Sequence, residues 1–212
     1  MSTFRSVSKM CPVCGTMSDH TVICSTNTFG SPDLDLRPPE MKRSTMVYWP
    51  EQCPQCGFVA YDIAKRTPVS REWLLEEQYI TCEGRNFLSG LAVKFYKIYL
   101  IAKETRNSAD AFNALMSAAW ACDDCNDYKN ARLCRSLLLP YLDIEIKNAP
   151  QRADTLAVIK ADVLRRAGLF DQVVAEYTNC TFGDEILTKI CKFQVEKAKQ
   201  GDTGCYRVSD VK

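Results

Sequence analysis

Cys11-Pro12-Val13-Cys14-Gly15 and Cys53-Pro54-Gln55-Cys56-Gly57 are two copies of one pentapeptide, and their reading decides the N-terminal fold. Two residues between the cysteines let both sulfurs face one point. Proline fixes φ just after the first ligand. Glycine after the second can take a positive φ, which turns the chain and brings backbone N–H groups toward the thiolates. Two such knuckles supply Cys11, Cys14, Cys53 and Cys56, the ligand set of a closed tetrahedral site. A closed site has no open position for water or substrate, so it stabilises and does not catalyse. One structural Zn²⁺ is the expected ion. Iron is the chemical rival, since four sulfurs suit both metals; zinc is preferred because no neighbouring residue suggests electron transfer.

The knuckles are separated by 38 residues, 15–52. That is more than a minimal ribbon needs, enough for an extra hairpin or an ordered loop. Closing such a loop costs entropy that grows only logarithmically with its length. Binding at a structural zinc site contributes roughly 10–16 kcal/mol and can offset that cost.

Outward from the knuckles, the composition changes near residue 67. Before it, Pro, Gly, Ser and Asp interrupt short β-prone runs at Thr21–Cys24, Met46–Trp49 and Phe58–Tyr61. After it, apolar residues recur at helical spacing. The expected class is therefore α+β and mostly α: a small zinc-ribbon-like β module over residues 1–66, then antiparallel helical hairpins resembling tetratricopeptide repeats over 67–212. Helices are expected at about 70–80, 84–105, 108–124, 127–147, 151–167, 170–178 and 184–200. Ser70 is a candidate N-cap, and Gly168 sits where a C-cap glycine belongs. Pro140 is expected to kink the fourth helix or end its first segment. In the second helix Phe87, Leu91, Phe95, Ile98 and Ala102 form one stripe, widened by Tyr96 and Tyr99.

Two turns resemble each other. Asn126-Asp127-Tyr128-Lys129-Asn130-Ala131 parallels Gly168-Leu169-Phe170-Asp171-Gln172-Val173, 42 residues later. Each joins two apolar helices through a tight turn and an aromatic residue. Tetratricopeptide units repeat at about 34 residues, so the longer offset implies divergent repeats. An ordinary helical bundle with coincident turns is the alternative.

Charge and motifs exclude several functions. The 212 residues carry 27 Lys and Arg against 26 Asp and Glu, a formal charge of +1. Four thiolates and one Zn²⁺ would make that about −1. Residues 1–66 hold seven basic and six acidic side chains, so the clustered cations of a nucleic-acid binder are missing. No signal-peptide core and no membrane-spanning run is present, and a cytoplasmic location is expected. Twelve cysteines then read as metal ligands or small packing residues instead of disulfides. Cys24, Cys82, Cys180, Cys191 and Cys205 stand alone as packing candidates.

His20 is the single histidine, which removes most Ser-His-Asp, Cys-His and HExxH schemes. It reads as a surface or hairpin residue, with a metal-ligand role as the other choice. Cys122-Asp123-Asp124-Cys125, with Cys134 nearby, could form a weak second metal or redox pair; core packing is preferred because the knuckle's Pro and Gly are missing. No glycine-rich phosphate loop occurs. The adjacent pairs Glu76-Glu77 and Asp123-Asp124 read as solvated. Between the knuckles, Asp33, Asp35 and Arg37 alternate with Leu34 and Leu36, so the charges share one side of an extended strand. They read either as an ion-paired edge that fixes the loop or as a recognition surface for a partner.

Together these features resemble a family of uncharacterised bacterial proteins. Its members carry paired CPxCG knuckles, the second continuing as in Cys53–Tyr61, followed by tetratricopeptide-like helices. The likeness extends over Cys11–Gly15, the Asp33–Pro38 run and the helices up to Gly201-Asp202. It implies architecture and a metal, and no activity. The preferred function is a non-catalytic zinc protein whose helices present a surface to a protein or peptide. The alternative is a nucleic-acid-binding or enzymatic module using the cleft between the two parts.

Overall fold

The computed structural model describes residues 1–211 and is an α+β fold dominated by helices. Strands β1 (Thr3–Met10) and β2 (Met17–Ser25) pair antiparallel with Val7 opposite His20 and Met10 opposite Met17. The first knuckle is the turn of this hairpin. Two minimal pairs follow: β3 (Thr28–Phe29) with β4 (Glu40–Met41), and β5 (Glu51–Gln52) with β6 (Val59–Ala60). The second knuckle is the turn between β5 and β6. Thus two of the three β-prone runs contain strand. The third, Met46–Trp49, lies instead at the end of a 3₁₀ helix, Arg43–Tyr48. Its backbone is satisfied locally, Thr45 N–H by Lys42 O and Trp49 N–H by Met46 O, so β propensity has no partner strand to act on.

The helices are α1 (Glu77–Ile80), α2 (Gly90–Glu104), α3 (Ser108–Asp124), α4 (Tyr128–Asn148), α5 (Ala153–Ala167), α6 (Phe170–Tyr177) and α7 (Glu185–Lys199). The stretch expected as one helix over 70–80 is broken. A 3₁₀ turn at Trp73–Leu75 is separated from α1 by Glu76, whose backbone is extended. Ser70 Oγ does accept the Trp73 N–H at 3.3 Å. Helix α2 starts six residues later than expected. Ser89 caps it through the Ala92 N–H, and the preceding Leu88 N–H is drawn away to Asp127 Oδ2 at the start of α4. Pro140 does not end α4, which continues to Asn148.

The two turns compared in sequence are geometrically equivalent. Asn126 (φ 59°) and Gly168 (φ 85°) are both left-handed. In each, the next residue's N–H reaches back to a helical carbonyl, Asp127 to Cys122 and Leu169 to Leu164, both at 2.9 Å. This six-to-one bond defines the Schellman cap. Arg106 (φ 55°), between α2 and α3, repeats it, with Asn107 N–H on Ala102 O. Three of the helix-to-helix joints, α2–α3, α3–α4 and α5–α6, therefore use one recurring device. Helix α3 packs against α2 and α4, α4 against α5, and α5 against α6 and α7.

One apolar cluster spans the knuckle region and helices α2 to α5. It includes Cys11, Cys53, Phe58, Val59 and Ile63 together with Phe95, Tyr96, Ile98 and Leu115. A second cluster ties α5, α6 and α7 through Leu164, Val173 and Val195. A third is small and consists of Leu34 from the inter-knuckle segment, Val158 of α5 and Ile190 of α7. None of the described helices is long and apolar enough to cross a membrane.

Candidate metal centre and the adjoining cleft

The two knuckles have the same backbone. Cys11 N–H bonds Thr16 O and Gly15 N–H bonds Cys11 O, both at 2.9 Å; Cys53 N–H bonds Phe58 O at 2.8 Å and Gly57 N–H bonds Cys53 O at 3.1 Å. Gly15 and Gly57 have φ of 74° and 73°. A Cβ at either would meet nothing within 4 Å, so glycine serves backbone conformation there and not space.

This geometry brings the four sulfurs of Cys11, Cys14, Cys53 and Cys56 within 4.8 Å of one another. Cys11 Sγ lies 3.7 Å from Cys56 Sγ, and Cys14 Sγ lies 3.5 Å from Cys53 Sγ. A tetrahedron with Zn–S bonds of ~2.3 Å has edges of roughly 3.8 Å. The donor set therefore fits a metal ion of that size. Cys11 and Cys53 are buried and Cys14 and Cys56 half-buried. The Thr16 hydroxyl, 3.3 Å from Cys14 Sγ, is the first cause that lowers the Cys14 thiol to about 6, followed by the Thr16 backbone N–H. Burial pushes Cys11 and Cys56 up instead. Metal charge would reverse that, because thiolates are what a cation binds.

Surrounding contacts hold the knuckles in place. Lys9 on β1 bonds both Glu51 oxygens, at 2.7 and 3.0 Å, and Asp62 at 2.9 Å. Glu51 also accepts the Ile63 N–H at 2.8 Å. Tyr79 of α1 donates its hydroxyl to Gly57 O at 2.8 Å. His20 takes no part in the sulfur cluster. It is largely buried within the hairpin and bonded to Ser18 at 2.8 Å, so the surface reading is corrected.

The inter-knuckle segment is not an exposed strand edge. Asp33, Asp35 and Arg37 are all buried, and Leu36 turns the chain with φ 62°. The Asp33 N–H closes this turn on Arg37 O, and the Leu36 N–H on Asp33 O. As a recognition surface the trio is therefore corrected: its charges face the helices. Asp33 pairs with Arg43 at 2.7 Å. Asp35 Oδ2 accepts from Trp120 Nε1 at 2.8 Å and from Arg166 Nη1 at 2.9 Å. Arg37 donates to Asp124 at 2.5 Å. Asp123, expected to be solvated, receives two bonds from Arg135 and one from Arg166. Asp124, also expected to be solvated, is the half-exposed partner of Arg37. Burial would raise the Asp35 carboxyl, but the charges of Arg166 and Arg135, with the Trp120 and Arg37 N–H groups, hold it below the usual carboxylate range.

Sequence reasoning missed Trp120, Arg135 and Arg166. They lie on three different helices, and no local spacing links them to Asp35. The nearest signal is a charged residue, Arg166, in a helix otherwise rich in buried apolar positions. The C-terminal segment completes the enclosure. Leu34 N–H bonds Tyr206 O and Val208 N–H bonds Pro32 O, both at 2.9 Å. Arg165, fully buried, holds the same segment through the carbonyls of Asp202 and Gly204.

Beyond Leu36 and Pro38 a cleft of about 420 Å³ opens between the segment and helices α3 and α5. Trp49, Tyr61, Phe112, Met116, Leu156 and Ile159 supply its apolar wall, and Lys42 and Arg152 its cations. The Tyr61 hydroxyl is buried beside Ser117.

The other cysteines do not make a second cluster of metal ligands among the described residues. Cys122 and Cys134 are core residues, and the Cys134 thiol followed by burial pushes Cys122 strongly up. Cys82 and Cys191 are buried as packing residues, whereas Cys24 and Cys205 are exposed, which corrects their packing assignment. No family model, no curated protein and no solved structure matches this chain, so the site stands on its geometry alone.

Proposed function

We propose that this protein is a non-catalytic zinc-binding scaffold whose helices receive a protein or peptide partner. One observation carries the reading. The segment enclosed by the four cysteines is seated on helices α3, α5 and α7, and a 420 Å³ cleft with an aromatic wall lies directly beside it. The volume falls within the range of about 300–1,000 Å³ usual for ligand pockets. The role of the metal in this reading is to hold one wall of that cleft.

Four sulfurs suit zinc and iron alike; zinc is preferred because no described residue beside the cysteines suggests electron transfer. The recurring Schellman turns support a tetratricopeptide-like scaffold, a class whose stacked repeats form extended concave binding surfaces. Twelve free cysteines agree with a reducing compartment such as the cytoplasm.

The test has two parts. Elemental analysis of purified protein should find one zinc per chain, lost in Cys53→Ser. The zinc-loaded protein should then bind members of an array of short peptides, and Asn113→Trp, at an exposed position lining the cleft, should remove that binding. An array on which nothing binds would overturn the scaffold reading.

A further inference from the structure

The face of α3, α5 and α7 already holds one peptide segment, which is the chain's own. Asp33-Leu34-Asp35-Leu36 turns against it in a mixed mode. Leu34 inserts between Val158 and Ile190. Asp35 is read by the Trp120 indole N–H and the Arg166 guanidinium. The local rule of this face is thus an acidic residue on a cation or indole, beside an aliphatic residue in an apolar slot.

Past Leu36 the same face continues as the cleft, with the same ingredients left unsatisfied. Its floor is apolar, formed by Phe112, Met116, Leu156 and Ile159. Lys42 and Arg152 are exposed on it and make no ion pair among the described residues. The one carboxylate on the cleft, Asp35, is already taken up by Arg166 and Trp120, so it does not cancel those cations.

Resting on the scaffold reading above, we infer that the cleft binds an acidic peptide segment presenting one large apolar side chain between carboxylates. The apolar side chain occupies the floor between α3 and α5. The carboxylates pair with Lys42 and Arg152. The turn at Asp33–Arg37 forms one wall of the site, and its acid-plus-leucine contacts show the chemistry that this face accepts.

The experiment uses the full-length, zinc-loaded chain and three capped pentapeptides of sequence Glu-Asp-Phe-Asp-Glu, Ser-Asn-Phe-Asn-Ser and Lys-Arg-Phe-Arg-Lys. Binding is read by calorimetry and by tryptophan fluorescence, since Trp49 and Trp120 line the cleft. The acidic peptide should bind at least about tenfold more tightly than the neutral one, with the basic peptide not binding, because complementary charge selects between partners. Arg152→Glu and Lys42→Glu, both at exposed positions, should each weaken it by about tenfold, and added salt should weaken it further. Asn113→Trp should abolish it. Preference for the neutral or basic peptide, blocked by Asn113→Trp, would overturn the acidic specificity and leave the scaffold reading standing. Acidic binding unchanged by Arg152→Glu, Lys42→Glu and Asn113→Trp would place the site elsewhere and overturn the inference. Binding of phenylacetate with no pentapeptide bound would overturn it in favour of a small-molecule pocket. Failure of all three peptides together with an empty peptide array would overturn both readings.

Discussion

Trp120 Nε1 donates to Asp35 Oδ2 at 2.8 Å, joining positions 85 residues apart. Through this bond and that of Arg166, the segment between the knuckles becomes part of the helical core. The carboxylate is fully enclosed and compensated, so its removal does more than delete one contact.

Asp35→Ala should destabilise the protein by about 1–3 kcal/mol, because it leaves the buried Trp120 N–H without its acceptor and Arg166 with Asp123 as its remaining close carboxylate. Urea unfolding would measure this. The double variant Asp35→Ala/Arg166→Met should be less destabilised than the sum of its single variants. Strict additivity would show that the pair is not coupled.

Asp127 caps α4 and accepts bonds from the Leu88 N–H, the Asn130 N–H and the Asn130 side chain. Burial works to raise its carboxyl, but the Asn130 side-chain bond and then the Leu88 and Asn130 N–H groups outweigh it, and the carboxyl titrates below its ordinary range. A lowered folded value means that the anion stabilises the fold. That contribution is fully present above the unfolded aspartate value of about 3.9 and is lost as pH falls through the folded value. The stability gap between wild type and Asp127→Asn should therefore be constant from pH 7 to about 5 and close on further acidification. Urea midpoints across that range would test it.

The Schellman turns predict a pair of opposite effects. Gly168 has φ 85° with open space around its Cα, so Gly168→Ala meets only a backbone penalty, about 1 kcal/mol destabilising. Arg106, exposed with φ 55°, occupies the same conformation with a side chain that does not favour it. Arg106→Gly should relieve that strain, with a gain of up to ~1 kcal/mol, reduced by the extra entropy glycine brings to the unfolded chain. Thermal unfolding of the two variants should shift in opposite directions.

Removing the metal proposed for the four cysteines should affect more than the knuckles. Phe58, Val59 and Ile63 belong to the same apolar cluster as Phe95, Tyr96 and Leu115. Chelation should therefore lower the unfolding midpoint of the helices as well, seen as a shifted far-ultraviolet circular dichroism transition. The fragment 67–212 alone should bind a hydrophobic dye that the intact protein does not. An unchanged helical transition after chelation would show that the two parts are energetically separate.

The sequence by itself determined what depends on neighbours in the chain. The CPxCG knuckles fold locally, because proline, glycine and two intervening residues dictate where each pair of sulfurs points. The helices from 108 onward were legible from their apolar period and from caps such as Gly168, and the kinship of the Asn126 and Gly168 turns was readable because both depend on one left-handed residue. The late start of α2 was not legible, since a hydrogen bond from Leu88 to the distant Asp127 competes with helix there; the extended backbone at Glu76 has no such local signal either. The fate of Asp33, Asp35 and Arg37 was decided only by the tertiary structure. Alternation of acids and leucines says that two faces differ, but not which face meets water. That choice depends on Arg43, Trp120, Asp124 and Arg166, brought together from separate elements. Charge compensation between residues so far apart has no period for a sequence to display, and the cleft beside Asp35 exists only because that compensation draws the loop onto the helices.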